Sequence, residues 1–234
     1  MFSLIIYRLP RKISIFKPSS FCEICHQHLK FYHKIPIISY ILLKGKCPYC
    51  SHKFGFNHLL LELLTPLFFL IIYINNPIGL NFYKYLILTS AFIIIFFLDW
   101  ENRIIPNLIT LPLIVIGLLF SFWSKINIIQ LFLGILIGGG ILTIVGLVYQ
   151  CITKQQAIGG GDIKLSIAIS IFIGWQLTLF TLFFGSVLGI VYYIFSHKKS
   201  ETIPYGAFLS LSAYISIIYG KEILNLWIKY LSPS

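Results

Sequence analysis

From residue 126 to residue 153, and again from 165 to 196, the chain carries no Asp, Glu, Lys, Arg or His. About 20 apolar residues in helical form cross the hydrocarbon core of a bilayer, so runs of this length need lipid as their solvent. They do not fit a membrane β-barrel, whose strands read as weak alternating segments of about ten residues. Composition agrees: 58% of the residues are hydrophobic and 11% charged, where a soluble domain carries about 25% charged residues. The chain therefore reads as an all-α polytopic membrane protein of about seven to eight transmembrane helices. Spans are expected near 58–75, 82–98, 107–123, 127–149, 163–174, 176–195 and 205–220. The span at 163–174 is short and is expected to run on through Gly174 and Trp175. Pro66 and Pro112 fall inside spans, where neighbouring helices can satisfy the backbone groups that proline frees. Residues 221–232, apolar but bearing lysines, are expected to lie on the surface.

The net charge is +11. The bases cluster beside the spans, which is the positive-inside bias of membrane proteins and not a nucleic-acid footprint, so no nucleic-acid partner is expected. Residues 8–57 form the only sizeable polar stretch and hold nine of the eighteen Lys and Arg residues. Placing them in the cytoplasm brings the chain back to that side at 99–106, 150–162 and 196–204, with Arg103, Lys154, Lys164, Lys198 and Lys199. The opposite side then holds only Lys84, Lys125, Lys221 and Lys229. This orientation divides the chain into a small N-terminal cytoplasmic region, 1–57, and a membrane domain, 58–234. Residues 1–10 are too short for a signal peptide.

Four of the five cysteines lie in the polar stretch, as Cys22-x-x-Cys25 and Cys47-x-x-Cys50. Two such pairs aim four thiolates at one point and read as a zinc site. The competing reading, two disulfides, fits poorly with a reducing cytosol. Four thiolates close the tetrahedron, so the zinc is structural. His26, His28, His33, His52 and His58 are then surplus and read as solvated groups. Cys151 has no partner in sequence and reads as a small apolar filler.

Three acidic residues come near the membrane core: Glu62, Asp99 and Asp162. An ionisable group at membrane depth is a functional hypothesis by default. Glu62 lies one turn into its span, placed either to snorkel or to pair with a base. Asp99 closes the span 82–98, and Asp162 follows Gly159-Gly160-Gly161. The charge-derived topology puts both aspartates at cytoplasmic span ends, where they can meet. Two carboxylates sharing one proton are the working parts of an aspartyl protease. The glycine run lets a substrate strand approach closely. The blander readings are a helix-end charge for Asp99 and an N-cap for Asp162. In the acid–base reading, the start of the helix at Ile163 favours charge on Asp162. The end of its own helix, and Glu101, disfavour charge on Asp99. Asp99 is therefore expected to hold the shared proton and Asp162 to act as base, with a bell-shaped pH–rate profile.

Several segments together resemble the type IV prepilin peptidase family. They are Ile5-Ile6-Tyr7-Arg8-Leu9-Pro10, Ile35-Pro36-Ile37-Ile38-Ser39-Tyr40, Lys44-Gly45-Lys46-Cys47, Glu62-Leu63-Leu64-Thr65, Asp99 with Ile105-Pro106-Asn107, Gly159 to Lys164, and Ile203-Pro204-Tyr205-Gly206-Ala207-Phe208-Leu209. The resemblance implies an inner-membrane endopeptidase with its active site at the cytoplasmic face. Asp99 and Asp162 would be catalytic. Its substrates would be type IV prepilins or pseudopilins, cut after a glycine that ends a basic leader. The four cysteines accompany the two-activity form, so N-methylation of the new terminus from S-adenosylmethionine is also implied. Family members have about a full span ahead of the Tyr-Arg-Leu-Pro segment. Here six residues precede it, about 9 Å of helix, so either the first helix is expected to lack most of its length or the true start is expected to lie upstream. The alternatives are a presenilin-type protease, which leaves the cysteines unexplained, a transporter relaying protons through its aspartates, and a membrane-anchored zinc module without catalysis.

Overall fold

A computed structural model describes residues 2–11, 13–14, 24–25, 27–28, 38–43, 45–52, 56–155, 158–196 and 202–231. Its described elements are ten helices: α1 (Phe2–Arg8), α2 (Ile38–Leu42), α3 (Phe56–Asn75), α4 (Leu80–Asn102), α5 (Asn107–Trp123), α6 (Ile128–Thr153), α7 (Gly160–Ile173), α8 (Trp175–Phe195), α9 (Tyr205–Ile218) and α10 (Gly220–Leu231). Each of the seven expected spans coincides with one of α3 to α9. Three of them, α4, α6 and α8, are individually long and apolar enough to cross a bilayer. Residues Leu59–Asn75 of α3, and α5 and α9, are apolar but shorter.

The chain divides into two compact units, Met1–Ile71 and Ile72–Ser234. In the first, α1 buries Arg8, whose guanidinium donates to the Ser14 carbonyl at 2.9 Å. The turn after α2 is closed by Gly45 at φ +66, a left-handed conformation in which any Cβ would run into the Tyr40 ring.

The second unit is organised around α7, which packs against α4, α5, α6, α8 and α9. Its Leu165, Ala168, Ile169 and Phe172 are all but fully buried. A helix apolar on every side must be enclosed by others. Glycine makes the closest approach possible: at Gly138 of α6, an added Cβ would stand 2.8 Å from the Ser166 carbonyl and from Ser170 Oγ. The outer helices carry large exposed side chains, among them Phe122 and Trp123 on α5, Phe132, Ile144 and Ile152 on α6, and Phe183 and Phe195 on α8. Lipid is the solvent this surface fits. Hydroxyls inside the spans bond back to the carbonyl one turn earlier, as Ser90, Thr143, Thr178, Ser186 and Ser210 do at 2.7–2.8 Å.

Two expectations need correction. The span at 163–174 does not run on through Gly174 and Trp175: α7 stops at Ile173, and Gly174, at φ +84, breaks the chain before α8. Cys151 is not an apolar filler but is exposed in the last turn of α6.

Candidate active site

Asp99 lies one turn before the end of α4 and is buried. Beyond it the helix stops at Arg103, whose left-handed backbone (φ 56, ψ 37) returns its N–H to the Asp99 carbonyl. Arg103, Ile104, Ile105 and Pro106 make the whole connection to α5. The residue before a proline is confined to extended backbone, and Pro106 itself is extended at φ −72, ψ 134. Lys164 of α7 then donates to Asn107 Oδ1 at 2.8 Å and ties this connection to the other aspartate's helix. Lys164 thus acts as a strut between α7 and the start of α5.

Asp162 is the third residue of α7, after the N-cap Gly159. From this position its carboxylate reaches back to the Gly159 amide, half of a capping box. Its Oδ1 is buried and, among the described residues, has no hydrogen-bond partner. The charges of Asp162 and Asp99 act on one another across the site. The two aspartates, 63 positions apart in the chain, are thus brought together by tertiary packing.

A third helix completes the site. The first turn of α9 is Tyr205-Gly206-Ala207, and the Ala207 amide donates to Asp99 Oδ2 at 3.0 Å. The Gly206 amide also interacts with that carboxylate. A Cβ at Gly206 would overlap Ile105 and stand 3.2 Å from Asp99 Oδ2. Sequence reasoning found this segment only as a signature and gave it no role; the signal was a glycine two positions after a proline, in a helix's first turn. Tyr205 lies close enough for its phenol to interact with Asp162, and its hydroxyl is 3.4 Å from Ser186 Oγ.

This third helix adds donors on the Asp99 side that the sequence did not show. Asp99 was read beside the negative end of its own helix and Glu101. It also meets the positive end of α9, with a direct N–H donor, and the charge of Arg103. A hydrogen bond to a charged group contributes about 1.5–3 kcal/mol, more than a dipole's 0.3–1 kcal/mol. Among the described residues, Asp99 thus meets a donor of a kind that Asp162 Oδ1 lacks.

The profile of the Type IV leader peptidase family matches residues 86–194, which include both aspartates, and that of the Bacterial Peptidase A24 N-terminal domain matches residues 1–76. The prepilin leader peptidase/N-methyltransferase of Dichelobacter nodosus is 30% identical over 222 residues, covering 93% of this chain and 77% of the relative. The protein of the same description from Neisseria gonorrhoeae is 30% identical over 234 residues, covering 94% and 79%. That of Pseudomonas aeruginosa is 26% identical over 223 residues, covering 91% and 76%. The chain belongs to the type IV leader peptidase family. Membership sets aside the transporter and the non-catalytic zinc module. No solved structure matches the chain.

The leader peptidase has a second cluster in its first compact unit. The thiol sulfurs of Cys25, Cys47 and Cys50 lie within 4.8 Å of one another, those of Cys25 and Cys47 at 4.0 Å. Sulfurs bound to one tetrahedral zinc at about 2.3 Å would be about 3.8 Å apart, so the three fit a metal with little movement. Cys22, the fourth expected ligand, lies outside the described residues. His28 and His52 are exposed, as surplus groups should be; His26, His33 and His58 lie outside the described side chains.

Proposed function

We propose that this chain is a membrane aspartyl endopeptidase that removes the basic leader of type IV prepilins or pseudopilins after a glycine, with Asp99 and Asp162 as its catalytic pair. The observation that carries the reading is the convergence of the buried Asp99, the half-buried Asp162 and a glycine-lined helix start on one point of the membrane domain. In the proposed reaction, water is the nucleophile. Asp99, ionised, takes a proton from that water as its oxygen attacks the scissile carbonyl carbon. Asp162 gives its proton to the carbonyl oxygen. The tetrahedral diol then collapses: one of its hydroxyls returns a proton to Asp162, the C–N bond breaks, and the leaving nitrogen takes the proton that Asp99 holds. No covalent enzyme intermediate forms, and one shared proton remains at the end.

N-methylation of the new terminus, with S-adenosylmethionine as donor, is the proposed second activity, supported by the relatives' description. Cys25, Cys47 and Cys50, with Cys22 as fourth ligand, would hold zinc, which supplies a rigid cross-link and no open coordination position. The proposed setting is the inner membrane, with the aspartates at the cytoplasmic face. The positive-inside distribution of the bases supports this orientation. The test is incubation of the purified full chain with a prepilin. Mass spectrometry should show loss of the leader, and a one-methyl increase on adding S-adenosylmethionine. An uncut prepilin, with the enzyme folded and in lipid, would overturn the reading.

A further inference from the structure

One side chain stands between the supports of the two aspartates. Gly161 directly precedes Asp162, and a Cβ there would stand 2.8 Å from Ile105 Cβ and 3.2 Å from its carbonyl oxygen. Gly206 adjoins Asp99 Oδ2, and a Cβ there would run into Ile105 Cδ1 and stand 3.1 Å from its Cγ1. Ile105 therefore fills, from the connection between α4 and α5, the space that two glycines leave open on α7 and α9. It is only half-buried, so its remaining surface faces outward beside the pair.

Ile105 is also held still. On one side is the left-handed turn at Arg103, and on the other the fixed ring of Pro106. One residue further, Asn107 is tied to Lys164. A side chain on so short and fixed a connection acts as a wall and not as a lid. A peptide whose scissile carbonyl sits between the carboxylates must lay the side chain preceding the cut near this wall.

We propose that Ile105 is the specificity-determining residue that limits the size of the substrate side chain immediately before the scissile bond. The inference rests on the proposed peptidase reading and goes beyond it by naming the residue and the steric mechanism. Removing methyl groups from Ile105 opens volume at that place, and a larger substrate residue can then occupy it. One methylene in an apolar subsite changes selectivity by about 10–200-fold.

The experiment compares wild type, Ile105→Val and Ile105→Ala in lipid. Each is assayed on one prepilin carrying glycine, alanine or valine before the cut. The quantity read is the ratio of kcat/KM for the alanine or valine substrate to that for the glycine substrate. This ratio should rise by at least about tenfold in Ile105→Ala and by less in Ile105→Val. A merely structural role would lower all three substrates together and leave the ratio where wild type has it, which would overturn the inference. If a variant turns over too slowly, the same ratio is read as binding affinity in an Asp162→Asn background, with and without Ile105→Val. Failure of wild type to cut the glycine substrate would instead count against the peptidase reading itself.

Discussion

The thiol cluster and the aspartate site are built in opposite ways. The cysteines come in pairs three positions apart in the sequence, and Cys47 and Cys50 share one turn. Their chemistry asks for four donors around one centre, and a closed shell completes the task. The carboxylates come singly from the end of α4 and the start of α7, and neither is arranged by its own neighbours alone. The first turn of α9 supplies the donor to Asp99, and Ile105 from a fourth segment fills the gap. A structural site can be local because it only has to hold. A hydrolytic site must expose reactive groups to a peptide and orient them from several directions, so it is distributed.

The sharpest test of this contrast is removal of either carboxylate. Asp99→Asn and Asp162→Asn should each lower leader cleavage by at least about 10³-fold, as loss of one member of a unit that works together does. Both proteins should still insert and fold. Measured cleavage near the wild-type rate for either variant would dissolve the pair.

Next in size is the crowding at Gly206. Gly206→Ala should reduce kcat by about 100-fold, because displacing Asp99 by about 1 Å is enough for that. Val lacks the Cδ1 atom that the new methyl would meet, so Ile105→Val should restore part of the loss. An additive double mutant would show that the two residues do not share this space.

For the thiols the expected pattern differs. Purified protein should carry one zinc per chain, and Cys22→Ser combined with Cys25→Ser should release it. Leader cleavage should then change by less than about tenfold, while methyl transfer falls further, since a closed site has no position for hydrolytic chemistry. Equal loss of both activities, in protein of normal stability, would make the cluster part of the hydrolytic machinery.

The smallest effect is expected at Ala207. Proline is tolerated in a helix's first turn, and Ala207→Pro removes the N–H that Asp99 accepts. The pH–rate profile should be bell-shaped in wild type. In the variant its acid limb should move to higher pH by about one unit, equivalent to about 1.4 kcal/mol. The sign follows because losing a donor disfavours the ionised form. An unmoved limb would return the proton assignment to the simpler dipole argument, with Asp162 as base.

The helices, their approximate ends and the two aspartates were legible in the sequence because each rests on a one-dimensional signal. Unbroken apolar length specifies a lipid-embedded helix, and a carboxylate at its edge stands out against the background. The grouping of Cys25, Cys47 and Cys50 was legible for the same reason, since close spacing along the chain marks cysteines that can converge. The stop of α7 at Gly174 was misread because apolarity continues through it, whereas the helix ends on a backbone angle that hydropathy does not register.

Which donors Asp99 meets could not be read along the chain. One of them lies 108 positions from Asp99, and its direction is known only once α9 is packed against α4. The sequence alone set the charge types and their places at the helix ends. Tertiary packing decided which dipole faces which oxygen, because electrostatic and steric effects at a site fall off with distance in space and not with separation along the chain. The same holds for Ile105: one aliphatic residue among many in the sequence, it becomes distinctive only where the glycines of two other helices close around it.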